Sequence, residues 1–479
     1  MTAEPRRQHY NVTLAILATV GTAFALQQTL VVPALPAFQR ELGTSTAWAT
    51  WVLTVFLLVA SVSTPLLGKL GDQYGKERML LVALSLFLAG CVGCAIAWSI
   101  ASLIAFRALA GAGAAVFPLS FAIIRDEFPR EKVPVAIGLV SAVFGVGGGF
   151  GIVFSGLIVD HLSWRWLFVF GSIPVALCIP LVHFFVPESP IKTRTRVDFV
   201  GATLLSLGLV SLLIALTEGE SWGWTSGRVL GLFATAAVLL AAWVVAELLV
   251  PDPMVDMHVF AHRPVLLTNV DALITGFAMF GTFVLIPNFV EMPHDVPAAA
   301  RGLVDYGFHA SATEAGLYLL PSSLTLLFAG PLAGVLGRAI GSKWPLSMGL
   351  ALAGVSAASF ALFHDHPWQV LVAMPLLGIG VGFAFAAMAT LITAAVRPTE
   401  TGIATGMNTV MRTIGGVIGG QVGAAILTAN VIGRTSVPAE HGFDVAFGIS
   451  AAAAFVGAVV AVFVTPVFGR RAIAAEAVD

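Results

Sequence analysis

The chain of 479 residues is 58% hydrophobic and only 10% charged, with a mean hydropathy of +0.94 and a formal net charge of −2. Soluble domains carry about 25% charged residues, so this balance excludes a soluble fold. The near-neutral total gives no basis for a nucleic-acid partner.

A hydrocarbon span needs about 20 mostly apolar residues. In chain order, such runs lie near 12–34, 46–67, 79–98, 101–123, 133–158, 165–186, 198–217, 228–250, 264–290, 313–337, 345–363, 368–395, 401–429 and 443–467, which predicts fourteen spans. Backbone polar groups in lipid have no water to satisfy them, so so many spans imply an all-α polytopic bundle. The short alternating segments of a membrane barrel do not occur.

Basic residues concentrate in alternate loops, from Arg6 and Arg7 through Lys69, Lys76, Arg78, Arg125 and Arg130 to Arg470 and Arg471. The other side receives Arg40, Arg165, Arg228, Arg301 and Arg434. The positive-inside rule then puts both termini in the cytoplasm. The first apolar run is longer than a signal core and leads into further spans, so it is read as an uncleaved first span.

Two polar, proline-punctuated stretches, 186–198 and 251–264, flank spans 7 and 8. They divide the chain into an N-terminal six-helix bundle (1–197), an inserted transmembrane hairpin (198–250) and a C-terminal six-helix bundle (251–479). The connection near 291–312 is the longest on the outer side and either covers the outer mouth or is a solvated loop. Cys91 and Cys94 share a face of span 3, but no second cysteine pair or histidine cluster completes a metal site. They are read as packed thiols.

Between spans 2 and 3 runs Leu66-Leu-Gly68-Lys-Leu-Gly-Asp72-Gln-Tyr-Gly75-Lys76-Glu-Arg78, a charged segment in a chain that is otherwise almost uncharged. Its glycines permit a tight turn and close helix approach. Further along stand Leu103-Ile-Ala-Phe-Arg107-Ala-Leu-Ala-Gly111-Ala-Gly113, Ser163-Trp-Arg-Trp-Leu-Phe168 and Gly402-Ile-Ala-Thr-Gly406-Met-Asn408-Thr-Val-Met-Arg412. Together these segments resemble the major facilitator superfamily, and Ala215-Leu-Thr-Glu-Gly-Glu-Ser-Trp-Gly-Trp224 resembles the inserted hairpin of its fourteen-helix drug/proton antiporter branch. The resemblance implies the major facilitator fold, two six-helix bundles plus an inserted hairpin, working by alternating access as a bacterial cytoplasmic-membrane exporter. It implies small amphipathic cargo, often cationic, with no cofactor, the proton gradient as energy source, the bilayer as surroundings and a monomeric state. It implies no enzymatic activity.

By the same resemblance, Gly68, Asp72, Gly75, Lys76 and Arg78 form an inner latch. A weaker repeat of that segment, Gly334 to Lys343, lacks the aspartate, and Val31-Val32-Pro33 pairs with Leu285-Ile286-Pro287. Arg107 lies about 10 Å into span 4 and Arg412 about 17 Å into span 13 at 1.5 Å per residue. A cation at such depth faces a cavity or a partner, so each is a cavity charge or a structural tether. The branch carries an aspartate in span 1 where this chain has Gln27, within Leu26-Gln27-Gln28-Thr29. Asp271, about 10 Å into span 9, and Glu291 are the remaining candidates for proton coupling, with Arg107 beside them. Phe24, Gln27, Gln28, Asn288, Asn408 and Arg412 are candidates for the substrate cavity, together with Phe56, Phe117, Phe277, Phe280 and Phe383.

The glycine-rich run in span 5 lacks the strand and downstream acid of a dinucleotide loop. It resembles the family's antiporter motif at Gly147, Gly151 and Gly156, with Ile152 in place of the motif's proline. Gln27 and Ile152 leave an uncoupled facilitator as one alternative, and a transporter-like ligand sensor as another.

Overall fold

In a computed structural model, residues 10–31, 34–189, 191–192, 198–292, 304–433 and 437–465 are described. Among them the chain is all-helical, with one isolated backbone bridge between Val431 and Pro438 and no strand. Among the described residues, thirteen helical stretches are long and apolar enough to cross a membrane by length and composition, counting Ile100–Glu127 as one. A further long helix, Val133–His161, has side chains described only in part.

The first half comprises α1 (Tyr10–Thr29), the short α2 (Leu35–Leu42), α3 (Thr46–Tyr74), α4 (Lys76–Ala95), α5 (Ile100–Ala112), α6 (Val116–Glu127), α7 (Val133–His161) and α8 (Arg165–Phe185). Then come α9 (Phe199–Trp222), α10 (Gly227–Leu249) and the short α11 (Met257–Ala261). The last six long helices are α12 (Arg263–Val290), α13 (Ala312–Ile340), α14 (Lys343–Leu362), α15 (Pro367–Ala395), α16 (Thr401–Ala429) and α17 (Glu440–Val462).

Helix starts are set by short polar side chains that take up orphan backbone N–H groups. Asp198 accepts from Gly201 N at 2.8 Å, and Ser311 accepts from Glu314 N at 3.2 Å while Glu314 reaches back to Ser311 N. Two short helices interrupt stretches that the sequence reading leaves as connections. In α2 a proline in the first turn presets the helical φ, and Gly43 closes the helix at φ 59°. In α11 the Asp256 carboxylate accepts from His258 N at 2.9 Å.

The predicted fourth span is broken. After Ala112 the backbone tightens, with Gly113 N donating to Ala110 O and Ala114 N to Gly111 O, and α6 resumes at Val116. A Cβ at Gly113 would stand 2.2 Å from the Ala83 carbonyl on α4. The break therefore lies where the backbones are too close for a side chain.

The charged segment is also not the loop expected. α3 continues to Tyr74 and α4 begins at Lys76, so Gly75 alone turns the chain, at φ 121°. Gly341 does the same between α13 and α14 at φ 91°, and each glycine N–H donates to the carbonyl four residues back, Gly71 and Gly337. The internal repeat is thus visible in backbone geometry where the side chains have diverged. The other proposed pair is not, since residues 32–33 lie outside the described residues and Pro287 sits inside α12.

In lipid, helices associate through small residues that let backbones approach. Within the first half, Gly147 and Gly151 on α7 receive α1: a Cβ at Gly151 would stand 1.9 Å from Thr29 Oγ1, which donates to Gly147 O at 2.5 Å. The surroundings of Ile152 and Gly156 lie outside the described residues. Between the halves, Gly68 meets Gly402, Gly138 meets Gly330, and Gly334 meets Pro134. These contacts share one end of the bundle, the end that carries Asp72, called here the basic end.

Candidate functional site

At the basic end α16 begins without a cap of its own, since the Glu400 side chain at its N-cap position bonds back to Arg397 and makes no cap hydrogen bond to the helix. Asp72, fully buried on α3, supplies the cap from the other half of the molecule. Its two carboxylate oxygens accept from Gly402 N and Ile403 N, each at 3.2 Å. A carboxylate at a helix N-terminus is held both by hydrogen bonds and by the aligned peptide dipoles. Gly68, one turn earlier, lets α3 and α16 touch: a Cβ there would lie 2.5 Å from the Gly402 carbonyl oxygen.

Gly68→Ala is therefore expected to open this seam. Overpacking costs about 1–3 kcal/mol, so labelling of a Thr405→Cys reporter by a membrane-impermeant thiol reagent should rise about tenfold. Unchanged labelling would show that the seam absorbs a methyl group.

The seal is wider than the motif. Arg125, near the end of α6, donates to the carbonyls of Val396 at 2.6 Å and Arg397 at 3.1 Å and to Thr401 Oγ1 at 2.5 Å. Lys76 pairs with Asp126 and also donates to the Pro398 carbonyl at 3.3 Å. Asp126 in turn accepts from Ser189 Oγ at 2.5 Å. Arg78 is mostly exposed and lies 3.7 Å from Glu188, whose carboxylate also accepts from Glu77 N at 3.4 Å and pairs with Lys192 at 3.7 Å. A Cβ at Gly75 would run into that same Glu188 carboxylate, at 2.1 Å. The repeat segment lacks an aspartate, and α7 accordingly starts with no side-chain cap. What crosses there is Arg338, donating to the Glu131 carbonyl at 3.2 Å.

Further into the bundle lies a cavity of ≈ 140 Å³ lined from both halves, by Phe24, Gln28, Phe56 and Phe117 from the first and by Phe280, Thr409 and Arg412 from the second. A smaller void of ≈ 20 Å³ adjoins it and includes Phe121, Phe385, Asn408 and Arg412. The Arg412 guanidinium stacks 4.3 Å from the Phe385 ring centroid. Asn408 Nδ2 donates to Asn269 Oδ1 at 3.0 Å, joining α16 to α12.

Other predicted residues fall elsewhere. Gln27 is fully buried against α8, where a Cβ at Gly171 would stand 1.6 Å from its side-chain oxygen, and it does not line the cavity. Arg107 lies behind the cavity wall, 4.4 Å from the Phe56 ring centroid, with Nε donating to the Val52 carbonyl at 3.2 Å. Phe383 packs against Ala329 and Ala333. Asn288 is exposed and Glu291 half-buried at the far end of α12, so neither reaches the cavity.

Asp271 is fully buried in α12, one turn before Thr275, whose hydroxyl donates to the Asp271 carbonyl at 2.6 Å. Neither of its carboxyl oxygens has a hydrogen-bond partner among the described residues.

At the end opposite the seal, residues 293–303 of the long connection lie outside the described residues. The described remainder packs on the second half. Tyr306 stacks on Phe289 at 5.6 Å and donates to the Pro438 carbonyl at 2.5 Å. Burial pushes its hydroxyl up to about 12, so it remains a donor. Trp164 and Arg165 anchor the same end of the first half, Arg165 donating to the Ala97 carbonyl at 3.0 Å.

Comparison with known proteins bears on this arrangement. The family model described as Major Facilitator Superfamily matches residues 17–304 and 272–477. Multidrug resistance protein Stp of Mycobacterium tuberculosis (strain CDC 1551 / Oshkosh) is 31% identical over 398 residues, covering 82% of this chain and 71% of that protein. Multidrug transporter protein MdtP of Bacillus subtilis (strain 168) is 28% identical over 405 residues, covering 82% and 71%. The Tetracenomycin C resistance and export protein of Streptomyces glaucescens is 27% identical over 375 residues, covering 78% and 67%. A crystal structure of the human organic anion transporter MFSD10 (TETRAN) superposes with a TM-score of 0.64 at 15% identity, over 96% of this chain and all of that one, which is a likeness of fold. A bundle built of two helix sets, sealed together at one end around a shared cavity, and a family match spanning nearly its whole length establish that this chain belongs to the Major Facilitator Superfamily of membrane transporters and is not an enzyme.

Proposed function

We propose that the protein exports amphipathic drug-like or natural-product molecules across the bacterial cytoplasmic membrane by alternating access, in exchange for protons. Both termini face the cytoplasm, so the basic end is the cytoplasmic end. The observation that carries this reading is the Asp72 cap on α16. It joins the two halves through hydrogen bonds at a helix start that has no other side-chain cap, so it forms in the sealed state and is lost when the halves part. The structure then corresponds to the outward-directed state, with the cytoplasmic side closed and the shared cavity beyond the seal.

The names of the bacterial relatives support drug export as the class of activity. Coupling falls to Asp271, because Gln27 has no proton to exchange. Arg107 shapes the cavity wall through Phe56. The unit of transport is one chain, with the proton gradient as its energy source.

The test is efflux of an amphipathic dye from proteoliposomes holding the purified protein, with and without an imposed pH gradient. Gradient-accelerated efflux supports the reading. Efflux that ignores the gradient assigns a facilitator, and dye binding without flux assigns a sensor.

A further inference from the structure

The stretch that joins the inserted hairpin to the second half is a strap across the basic end. Lys69 on α3 donates to the Pro253 carbonyl at 2.9 Å, and Glu247 on α10 accepts from Val255 N at 3.1 Å. Met254 and Val255 are buried in one cluster with Leu205 of α9 and Met407 of α16. Beside this strap the packing is incomplete. A cavity of ≈ 320 Å³ remains, walled by the strap, by Lys69 of the first half, by Val265 and Asn269 of α12, and by Ile403 and Met407 of α16.

This cavity is distinct from the central one. Asn269 lines the strap cavity and Asn408 lines the void that adjoins the central cavity, and the 3.0 Å hydrogen bond between their side chains stands between the two. Small-molecule sites run to about 300–1,000 Å³. In the sealed state the central cavity, at ≈ 140 Å³, falls below that range and the strap cavity falls within it.

The lining also has a chemical character. Met254 and Met407 offer unbranched, polarizable side chains that adapt to varied apolar shapes, and Phe260 offers a ring. The charged groups are the carboxylates of Asp252, Asp256 and Glu400 against the cations Lys69 and Arg397. Arg397 is shared between two of the acids, donating from Nε to Glu400 at 3.1 Å and lying 3.8 Å from Asp256. Asp252 stands exposed on the rim. Three negative charges around two positive ones favour a cation beside an apolar frame.

We propose that the strap cavity is a second small-molecule site, for an amphipathic organic cation, and that its occupant holds the two halves sealed. The proposal rests on the exporter reading for the cycle that sealing interrupts. Lys69 adjoins Gly68, which meets Gly402, and Ile403 N is one of the two donors to Asp72. Parting the halves at this seam therefore draws Lys69 and its hold on the strap away from α16. A ligand that touches both walls binds the sealed state more tightly and raises its population by that ratio of affinities. The site thus controls transport without carrying cargo.

The probe is proflavine, a planar acridine cation, and the sample is the full chain in nanodiscs. Saturable binding is expected, with the Kd raised about fivefold in Asp252→Asn, the size of an exposed ion pair, and unchanged in Phe280→Ala, which alters the central cavity. Ala404→Phe, which fills the strap cavity, should remove the binding. In proteoliposomes proflavine should lower the maximal rate of dye efflux and leave the KM for the dye unchanged. A Kd unaltered by Asp252→Asn, or no saturable binding, overturns the site. A Kd that responds to Phe280→Ala instead puts the cation in the central cavity and also overturns it. A raised KM at unchanged maximal rate makes proflavine a competing cargo and overturns the sealing role. All of these leave the exporter reading standing, whereas a dye that fails to move without proflavine counts against that reading alone, and the binding comparison still decides the site.

Discussion

Asp72→Asn is expected to shift the molecule out of its sealed state by about 10–100-fold. The amide keeps the size of the carboxylate but not its charge, and its nitrogen end presents a donor to one of the two N–H groups that Asp72 now satisfies. Hydrogen bonds to charged groups contribute about 1.5–3 kcal/mol, and every 1.4 kcal/mol between two conformations is a tenfold change in their ratio. α16 would also begin uncapped, since Glu400 makes no cap bond. The measurement is a spin-label distance distribution between Tyr74→Cys and Thr399→Cys, one on each side of the seam. A new long-distance population in the Asn variant, with a loss of gradient-driven efflux, is the expected outcome. Identical distributions would mean that Arg125 and the glycine contacts hold the end closed without Asp72.

Asp271→Asn should abolish proton-driven transport while leaving downhill substrate exchange largely intact. The side chain is fully enclosed, with neither oxygen hydrogen-bonded among the described residues, so the isosteric amide disturbs no contact that the structure shows. Burying an unpartnered polar group costs about 1–3 kcal/mol, and a protein that retains one has a use for it. A loss of at least about 100-fold in gradient-driven rate corresponds to removing an obligatory proton carrier, at 1.36 kcal/mol per decade. Substrate-induced proton movement, read with a pH-sensitive dye, separates the cases. Proton flux persisting in Asp271→Asn would place coupling on another group. An unchanged thermal midpoint in detergent would show that the variant folds.

The helical bundle was legible because hydrophobicity over about 20 residues leaves the backbone no alternative in lipid. The exact turns were not, because close packing set them. The glycines of the charged segment read as a turn that also permits close helix approach; Gly68 and Gly71 lie inside α3, and only Gly75 makes the turn, with a positive φ. The break after Ala112 depends on the Ala83 carbonyl, which no pattern within residues 101–123 can reveal.

The seal was legible at Asp72 and Lys76, whose motif is compact in sequence. Arg125, Asp126, Glu188 and Ser189 were missed because their partners are remote. Arg125 acts on backbone carbonyls of Val396 and Arg397, and such acceptors have no residue signature. In hindsight, the run Arg125-Asp126-Glu127 closing an apolar span, and the acid in Pro187-Glu-Ser-Pro190, were the available hints. Phe24, Gln28 and Arg412 reach the cavity as the sequence suggested, and Gln27 does not, because adjacent residues on a helix point about 100° apart.

The two seams between the halves are not alike. On one, Leu205, Leu209 and Leu213 of α9 form a single apolar cluster with Leu58 of α3 and with Met407, Val410 and Ile414 of α16. The same hairpin is tied down at the basic end, where Glu247 accepts from Trp243 Nε1 at 2.8 Å and Val255 N at 3.1 Å, and Lys69 donates to the Pro253 carbonyl at 2.9 Å. Among the described residues, the seam between α7 and α13 has no comparable packing from α9 or α10. The molecule therefore has a shuttered flank and a bare one with respect to the surrounding lipid. A solute already dissolved in the leaflet therefore meets a wall of leucine on the flank that α9 covers.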